Sequence, residues 1–224
     1  MYHYTPLRAR AFDICFADRY SLAVIDVSFY LKCEDKAQVA SDFYNDTYLT
    51  DQNACTSPRA VIWHTAHATE TEQKQAADLF WQHLWELVSH KYVFQPMQTV
   101  NKLTTAYLIA AERPEWKPVC IAANGDNRLM RIQIATLDER LMNYRENSGF
   151  FYEYSCSDLS ELLPLCSSRC QTIGYLGEVE MFDSLLGKDL SGVDRIVLIG
   201  KTMDFDLMWD GYNLFEIMAR RIVR

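Results

Sequence analysis

Glycine and proline are scarce in this chain, and several features that would define its class are missing. Its 224 residues include 8 Gly and 6 Pro, while 49% are apolar. The composition excludes collagen-like and low-complexity chains, and the apolar content excludes intrinsic disorder. No apolar run approaches the length of about 18 residues that predicts a membrane-spanning helix, and the first residues contain no apolar signal-peptide core. We therefore expect a globular chain with a sizeable core.

Positive charge is also in short supply. The chain has 22 Lys and Arg against 30 Asp and Glu, which gives a net charge of −8. Proteins that bind nucleic acids need concentrated Lys and Arg to neutralise phosphates. The composition therefore excludes a broad nucleic-acid-binding surface.

Paired cysteine patterns are absent, although the chain has 7 cysteines. An odd number at scattered positions makes a poor disulfide framework, and the spacing of Cys156, Cys166 and Cys170 matches no zinc-binding pattern. We expect free thiols in a reducing, cytoplasmic environment, and no metal site. Most of these thiols are predicted to pack in the core as small apolar groups.

Glycine-rich phosphate loops are missing as well. The chain has neither Gly-x-Gly-x-x-Gly after a strand nor Gly-x-x-x-x-Gly-Lys-Ser/Thr. The sequence therefore lacks the usual signals for binding a nucleotide phosphate by itself.

What the sequence does contain is an alternation of strand and helix patterns. Short β-branched runs predict strands over residues 21–26 and 59–64. The strongest helix covers residues 69–90, where Thr69 and Glu72 have the spacing of a capping box. Further strands are predicted over 120–122, 129–134, 149–154, 171–176 and 193–199, and further helices over 35–48, 97–113, 158–165, 181–187 and 214–223. We predict one α/β domain over residues 1–224, with a mostly parallel central sheet flanked by helices.

Cys55 differs from the other cysteines because its neighbours are small and polar. It lies between a predicted helix and a predicted strand, in a turn-like stretch where a thiol is less readily locked into an apolar core. The backbone N–H groups of such a turn can stabilise a thiolate or an oxyanion. A thiolate there can attack an acyl or aldehyde carbon and form a covalent intermediate. We predict Cys55 as the nucleophile; a buried thiol at a loop is the simpler alternative.

Residues 52–59 read QNACTSPR, which resembles the cysteine motif of the aldehyde dehydrogenase superfamily, Gly-Gln-x-Cys-x-(small)-x-x-Arg. The wider chain resembles the acyl-CoA reductase family, which includes the reductase of bacterial bioluminescence. The stretches that carry this resemblance are DTYLTDQNACTSPR at 46–59, CQTIGY at 170–175, GVDRIV at 192–197 and WDGY at 209–212.

This resemblance implies an aldehyde-dehydrogenase-type catalytic domain in which Cys55 takes up an acyl group. The implied reaction is the NADPH-dependent reduction of a long-chain fatty acyl-CoA, or of an acyl-protein thioester, to a long-chain aldehyde. In this superfamily the nucleotide-binding domain lies mostly upstream of the cysteine. Residues 1–224 then correspond to the catalytic half, without its nucleotide-binding domain. An acyl-protein synthetase and further copies of the chain are the other implied partners.

Two departures from the superfamily pattern affect the predicted site. Aldehyde dehydrogenases carry the hydrolytic base in Glu-Leu-Gly-Gly-Lys-Ser, whereas residues 16–21 here read FADRYS, with Asp18 as the nearest acid. A reductase needs no base to activate water, so this change favours reduction over oxidation. The Glu-x-Phe-Gly-Pro motif, whose Glu contacts the nicotinamide ribose, is replaced by ENSGF at 146–150. Glu146 is therefore the cofactor-binding candidate; an exposed carboxylate at a helix end is the alternative.

Other interpretations remain open. One alternative is a catalytically silent fragment with a role in folding or in association with a partner. A Cys–His hydrolase would pair Cys55 with His64, although closeness in sequence does not establish closeness in space. Gln171 is either a contact of the site at a strand end or an ordinary strand residue.

Overall fold

A seven-stranded sheet forms the centre of the computed structural model. The structure describes residues 11–219 except 12, 15, 17, 121–125, 145, 189 and 191. The sheet strands are β1 (Tyr20–Asp26), β2 (Pro58–His64), β3 (Lys117–Cys120), β4 (Met130–Gln133), β5 (Phe150–Cys156), β6 (Cys170–Leu176) and β7 (Arg195–Leu198), and a separate hairpin pairs β8 (Met208–Trp209) with β9 (Tyr212–Asn213). The helices are α1 (Val27–Lys32), α2 (Lys36–Thr47), α3 (Glu70–Lys91), α4 (Pro96–Glu112), α5 (Asp183–Leu186) and α6 (Leu214–Met218), with 3₁₀ helices at Tyr48–Thr50, Glu139–Asn143, Leu159–Leu165 and Val179–Phe182.

The strand order is β3-β4-β5-β2-β1-β6-β7. Every neighbouring pair is parallel except β3 and β4. The predicted mostly parallel sheet is thus confirmed. Because the other strands run the same way, their first residues share one edge of the sheet, which we call the amino edge.

Apolar layers cover both faces of the sheet. On one face, Ala23, Ile25 and Val61 pack against α1, α2 and α3. On the other face, Leu22, Val24 and Ile62 pack against α5, against the 3₁₀ helices and against Ile109, which lies on α4. Successive strand residues therefore alternate between two buried layers, as expected of a sheet covered on both sides.

A buried carboxylate on β5 bonds to side chains from β2, α3 and β4 on the first face. Glu153 of β5 is 4% exposed. Its Oε1 accepts hydrogen bonds from Trp63 Nε1 at 2.7 Å and Trp81 Nε1 at 2.8 Å, while its Oε2 lies 3.1 Å from Arg131 Nη1. The buried charges of Glu153 and Arg131 thus balance each other, and the Glu153 carboxylate is also hydrogen-bonded. Burial of two charges requires both conditions.

Most predicted elements are present with small shifts at their ends. The strand predicted over 59–64 is β2, and the helix predicted over 69–90 is α3. The capping box is confirmed: Glu72 N donates to Thr69 Oγ1 at 3.3 Å, and Thr69 N donates to the Glu72 carboxylate at 2.8 Å.

Some boundaries differ from the prediction. The C-terminal helix, predicted over 214–223, ends at Met218 and is capped by Ala219; residues 220–224 lie outside the described residues. The strand predicted over 120–122 overlaps β3 only at Cys120, where β3 ends, and residues 121 and 122 lie outside the described residues. Neither α1 nor the β8–β9 hairpin was predicted.

Helix α4 exposes an apolar face that carries no charge. Its only charged side chain before Glu112 is Lys102, which is fully buried and donates to the backbone oxygens of Asn127 and Ser148. The exposed apolar side chains are Met97, Val100, Leu103, Tyr107 and Leu108. None of the helices in the described part of the chain has the length and apolarity that a membrane span requires.

Candidate active site

The Cys55 loop lies at the amino edge of the sheet, between the 3₁₀ helix Tyr48–Thr50 and β2. Asp51 and Gln52 have φ angles of 52° and 58°, in the left-handed region, and begin the turn towards β2. The Cys55 side chain is half-buried. Its backbone carbonyl accepts a hydrogen bond from Ser21 Oγ of β1 at 2.7 Å. The loop is therefore tied to an interior strand of the sheet.

Gln52 holds the loop from within. Its side chain is fully buried. Its Nε2 donates to the carbonyls of Pro58 at 2.9 Å and Phe150 at 3.0 Å, and its Oε1 accepts from the N–H groups of Gly149 and Phe150, both at 3.0 Å. One amide thus joins the Cys55 loop to the start of β5.

A cavity of about 330 Å³ opens beside Cys55. This volume is at the lower end of the range for small-molecule sites. The large apolar side chains that line the cavity are Phe16, Met203, Phe205 and Trp209. The polar groups lining the cavity are the loop residue Thr56 together with Gln171 and Asp210.

Arg19 does not itself line this cavity but pairs with Asp210, one of its polar lining residues. The side chain is 7% exposed, and its Nη1 pairs with Asp194 and, at 2.9 Å, with Asp210. Its Nη2 donates to the carbonyls of Cys170, at 2.7 Å, and Gly192. Asp210 also accepts a hydrogen bond from Gln171 Nε2.

Neither Arg19 nor Asp210 was predicted as a site residue from the sequence. Their partners lie 39 to 191 positions away along the chain, so no local pattern could connect them. Asp210 does fall within the WDGY stretch that contributed to the family resemblance.

Glu146 lies in the segment that packs against the Cys55 loop. Two residues later, Ser148 N donates to the carbonyl of Asp51 at 2.9 Å. The Glu146 side chain is half-buried, and its Oε1 accepts a hydrogen bond from Thr105 Oγ1 of α4 at 2.8 Å. Both predicted site residues, Cys55 and Glu146, thus belong to adjoining segments at the amino edge.

His64 lies at the opposite edge from Cys55. It is the last residue of β2, whereas Cys55 precedes the first, and a seven-residue strand is roughly 20 Å long. His64 Nδ1 is 3.1 Å from Asp26 Oδ2, and both line a separate cavity of about 920 Å³. The structure therefore gives no support to a Cys55–His64 hydrolase.

Asp18 points into solvent rather than towards a buried catalytic position. Its side chain is 51% exposed and lies 3.8 Å from Arg169 Nη2. Asp18 does not line the cavity beside Cys55.

The other described thiols differ from Cys55 in their surroundings. Cys156, Cys166 and Cys170 are buried, as predicted for packing residues. Burial raises the pKa of Cys156 to about 12 and that of Cys166 to about 11, and it raises the pKa of Cys170 well above its ordinary value. Cys33 and Cys55 are half-buried. Among the described residues, no group of three or more His, Cys, Asp or Glu side chains could hold a metal ion.

Comparison with known proteins adds information on the fold. No protein-family model and no curated protein matches the chain. A protein assigned as a methylmalonate-semialdehyde dehydrogenase from Sinorhizobium meliloti, solved with NAD, has a TM-score of 0.58 at 10% identity, over 88% of this chain and 43% of that chain. A variant of 1-pyrroline-5-carboxylate dehydrogenase from Thermus thermophilus gives 0.52 at 12% identity, over 89% and 42%. Aldehyde dehydrogenase 21 from Physcomitrella patens, solved with succinate, gives 0.52 at 11% identity, over 80% and 38%.

The chain spans about two fifths of the length of these structures. At identities near 10% the likeness establishes the fold and not the reaction. The described residues have the α/β fold that aldehyde dehydrogenases show over about two fifths of their own length, as the sequence resemblance predicted.

Proposed function

We propose that the chain is the cysteine-bearing half of an NADPH-dependent reductase that converts a long-chain acyl-CoA, or an acyl-protein thioester, into an aldehyde. The observation that carries the proposal is the placement of Cys55. Its half-buried thiol belongs to a loop held by Gln52 and Ser21, beside a cavity lined by large apolar side chains.

The first step is acyl transfer to Cys55. The thiolate attacks the thioester carbonyl carbon, a new C–S bond forms, and the donor thiol leaves with the proton that Cys55 has given up. The backbone N–H of Cys55 and a donor from the upstream half stabilise the oxyanion. Phe16, Met203, Phe205 and Trp209 provide apolar surface for the acyl chain.

Glu146 is the residue of this chain that we propose to contact the nicotinamide ribose. Its half-buried carboxylate is oriented by Thr105, and a carboxylate held in one orientation suits the hydroxyl donors of a ribose. When bound, NADPH supplies the hydride that turns the acyl-cysteine into aldehyde and restores the Cys55 thiolate. Because the chain has no glycine-rich phosphate loop, we place phosphate binding in the upstream half.

The surroundings of Cys55 favour reduction over hydrolysis. Hydrolysis of the acyl-cysteine would need a base that activates water. Asp18 is exposed and does not line the cavity, and the carboxylate of Asp210 is engaged by Arg19 and Gln171.

Intact-mass spectrometry tests the proposal without the upstream half. Incubation of the chain with a long-chain acyl-CoA should add one acyl group, and peptide mapping should place it on Cys55. The Cys55→Ser variant should gain no such mass, whereas Cys33→Ser, which changes the other half-buried thiol that the structure describes, should gain it as the parent does. Absence of acylation in the parent, or acylation elsewhere, would overturn the proposal.

The second candidate is a catalytically silent fragment that acts in folding or association. It is favoured by one observation: the chain spans about two fifths of the length of the structures it resembles. Such a fragment would take no acyl group on Cys55, so the same measurement separates the two candidates.

A further inference from the structure

Gln171 combines burial, an unusual strand position and a place in the Cys55 cavity. Its side chain is 2% exposed and lines the cavity. The pairing of β1 with β6 shifts from Tyr20↔Cys170 to Ser21↔Thr172, which leaves Gln171 as the extra residue of a β-bulge. Bulges beside functional sites redirect a side chain that regular pairing would aim elsewhere.

The orientation of the Gln171 amide follows from its neighbour. Nε2 donates to Asp210 Oδ1, and Asp210 is itself paired with Arg19 at 2.9 Å. An ionised carboxylate only accepts hydrogen bonds, so the NH₂ group must face Asp210 and the Oε1 atom must face away.

The Oε1 atom of Gln171 is left without a protein partner. It is buried, and no hydrogen-bond donor among the described residues reaches it. A buried acceptor in this state is unfavourable unless a ligand or a water supplies a donor. The neighbouring Gln52, by contrast, uses both of its amide atoms on the protein backbone.

The missing donor narrows the class of substrate. Neither a hydrocarbon chain nor a thioester group has an N–H or O–H to offer. A thiol of the pantetheine type does, because an amide N–H lies two carbons from its sulfur, and the backbone N–H of an acylated cysteine in an acyl-protein has the same spacing. Resting on the function proposed above, we infer that Gln171 Oε1 accepts this amide N–H and selects acyl donors in which an amide N–H lies two carbons from the sulfur.

The inference is tested with two acyl donors that differ at one atom. One is the octanoyl thioester of N-acetylcysteamine, which has the amide. The other is the octanoyl thioester of O-acetyl-mercaptoethanol, in which an ester oxygen replaces the N–H. The rate of acylation of Cys55 by each is followed by intact mass. The parent should react with the amide donor at least about tenfold faster, the scale of one hydrogen bond to a buried acceptor.

Two variants test whether Gln171 causes the preference for the amide donor. Gln171→Met has a side chain of similar length without the carbonyl oxygen and should react with both donors at the same rate. Relative to the parent, its acylation rate should be lower with the amide donor only. Gln75→Met, which changes an exposed glutamine of α3, should keep the preference of the parent. The ratio of the two rates is informative because a general disturbance of the fold would slow both donors alike.

Each outcome has a distinct meaning. Equal rates in the parent would show that water satisfies Oε1 and would overturn the inference, even if Gln171→Met failed to fold. A preference that persists in Gln171→Met would assign the amide to another acceptor and overturn it as well. Acylation by neither donor nor by acyl-CoA would contradict the proposed function itself.

Discussion

Gln52 shows why a glutamine suits the Cys55 loop. An amide offers donors at Nε2 and acceptor positions at Oε1, and the loop uses both atoms twice, at 2.9–3.0 Å. A glutamate would set a carboxylate against two carbonyls, and an apolar residue would leave four buried backbone groups without partners. A single side chain therefore holds the nucleophile loop although its backbone is irregular.

The exposure of the thiols predicts their reactivity. Alkylation follows thiolate content and access. Because burial raises the pKa of Cys156, Cys166 and Cys170, these should react slowly, and Cys55 should be modified fastest by limiting iodoacetamide. Peptide mapping measures the order. The Cys33→Ala variant removes the other half-buried thiol of the described residues as a control, and faster labelling of a buried thiol would move the site away from Cys55.

Substitution of Cys55 should remove reduction without unfolding the chain. With the proposed nucleotide-binding half supplied, Cys55→Ser should lower aldehyde formation from acyl-CoA and NADPH by ~10³-fold or more, because a serine hydroxyl without a dedicated base is a far weaker nucleophile. Asp18→Ala should have a much smaller effect, since Asp18 is exposed and the reaction needs no water-activating base. An equal loss in both variants, with the fold preserved, would contradict the base-free mechanism.

The two predicted site residues come from local patterns, while the rest of the site does not. Cys55 and Glu146 were found because each belongs to a short motif. Arg19, Asp210 and the role of Gln171 depend on contacts across 39 to 191 positions of the chain. Such contacts arise only when β1, β6 and the β8–β9 hairpin have packed together.

Elements with long periodic patterns were predictable, and short ones were not. Helix α3 has 22 residues and a capping box, whereas α1 has 6 and follows β1 with only Asp26 as its N-cap. The β8–β9 hairpin turns at Asp210 and Gly211, with φ angles of 51° and 76°, which fits an Asp-Gly hairpin turn. Its strands have two residues each, too few to show an alternating pattern.

Asp46 at the end of α2 gives the fold a measurable pH dependence. Its buried carboxylate accepts hydrogen bonds from Gly200 N at 2.6 Å and Thr202 N at 3.2 Å, beyond β7. Burial outweighs these bonds and raises the pKa of Asp46 to about 6. Between about pH 4 and pH 6 the folded chain keeps a proton that the unfolded chain has released, so this contribution to stability is present at low pH and is lost as the pH rises.

The Asp46→Asn variant should lack this contribution. Relative to the variant, the free energy of unfolding of the parent should fall by up to about 3 kcal/mol between pH 4 and pH 7. Urea denaturation at a series of pH values measures the difference, with Asp78→Asn on the exposed side of α3 as the control. A difference that stays constant with pH would show that folding does not raise the pKa of Asp46.

At the scale of the whole molecule, the amino edge carries the proposed chemistry. The Cys55 loop, the Glu146 segment and Gln171 all lie there. The structures with the same fold extend well beyond the length of this chain. A nucleotide-binding half that meets this edge would complete the site without rearranging the sheet.

The chain alone should therefore bind NADPH weakly or not at all. Its sequence has no glycine-rich phosphate-binding motif, and Glu146 by itself would offer one contact. Calorimetric titration should show no saturable binding at millimolar NADPH, with the chain and the proposed nucleotide-binding half together as the positive control. Micromolar affinity of the chain alone would mean that the cofactor site is complete within residues 1–224.

The uncharged face of α4 bears on the solubility of the protein. At pH 7 a net charge of −8 keeps separate molecules apart, and this repulsion vanishes near the isoelectric point of about 5.1. The apolar side chains from Met97 to Leu108 are then no longer protected by long-range repulsion, and this stretch of α4 has no exposed charged side chain to replace it. The solubility of the protein should therefore be lowest near pH 5, where purification and crystallisation are best avoided. The Leu108→Lys substitution should widen the usable pH range more than a lysine placed on the already charged α3.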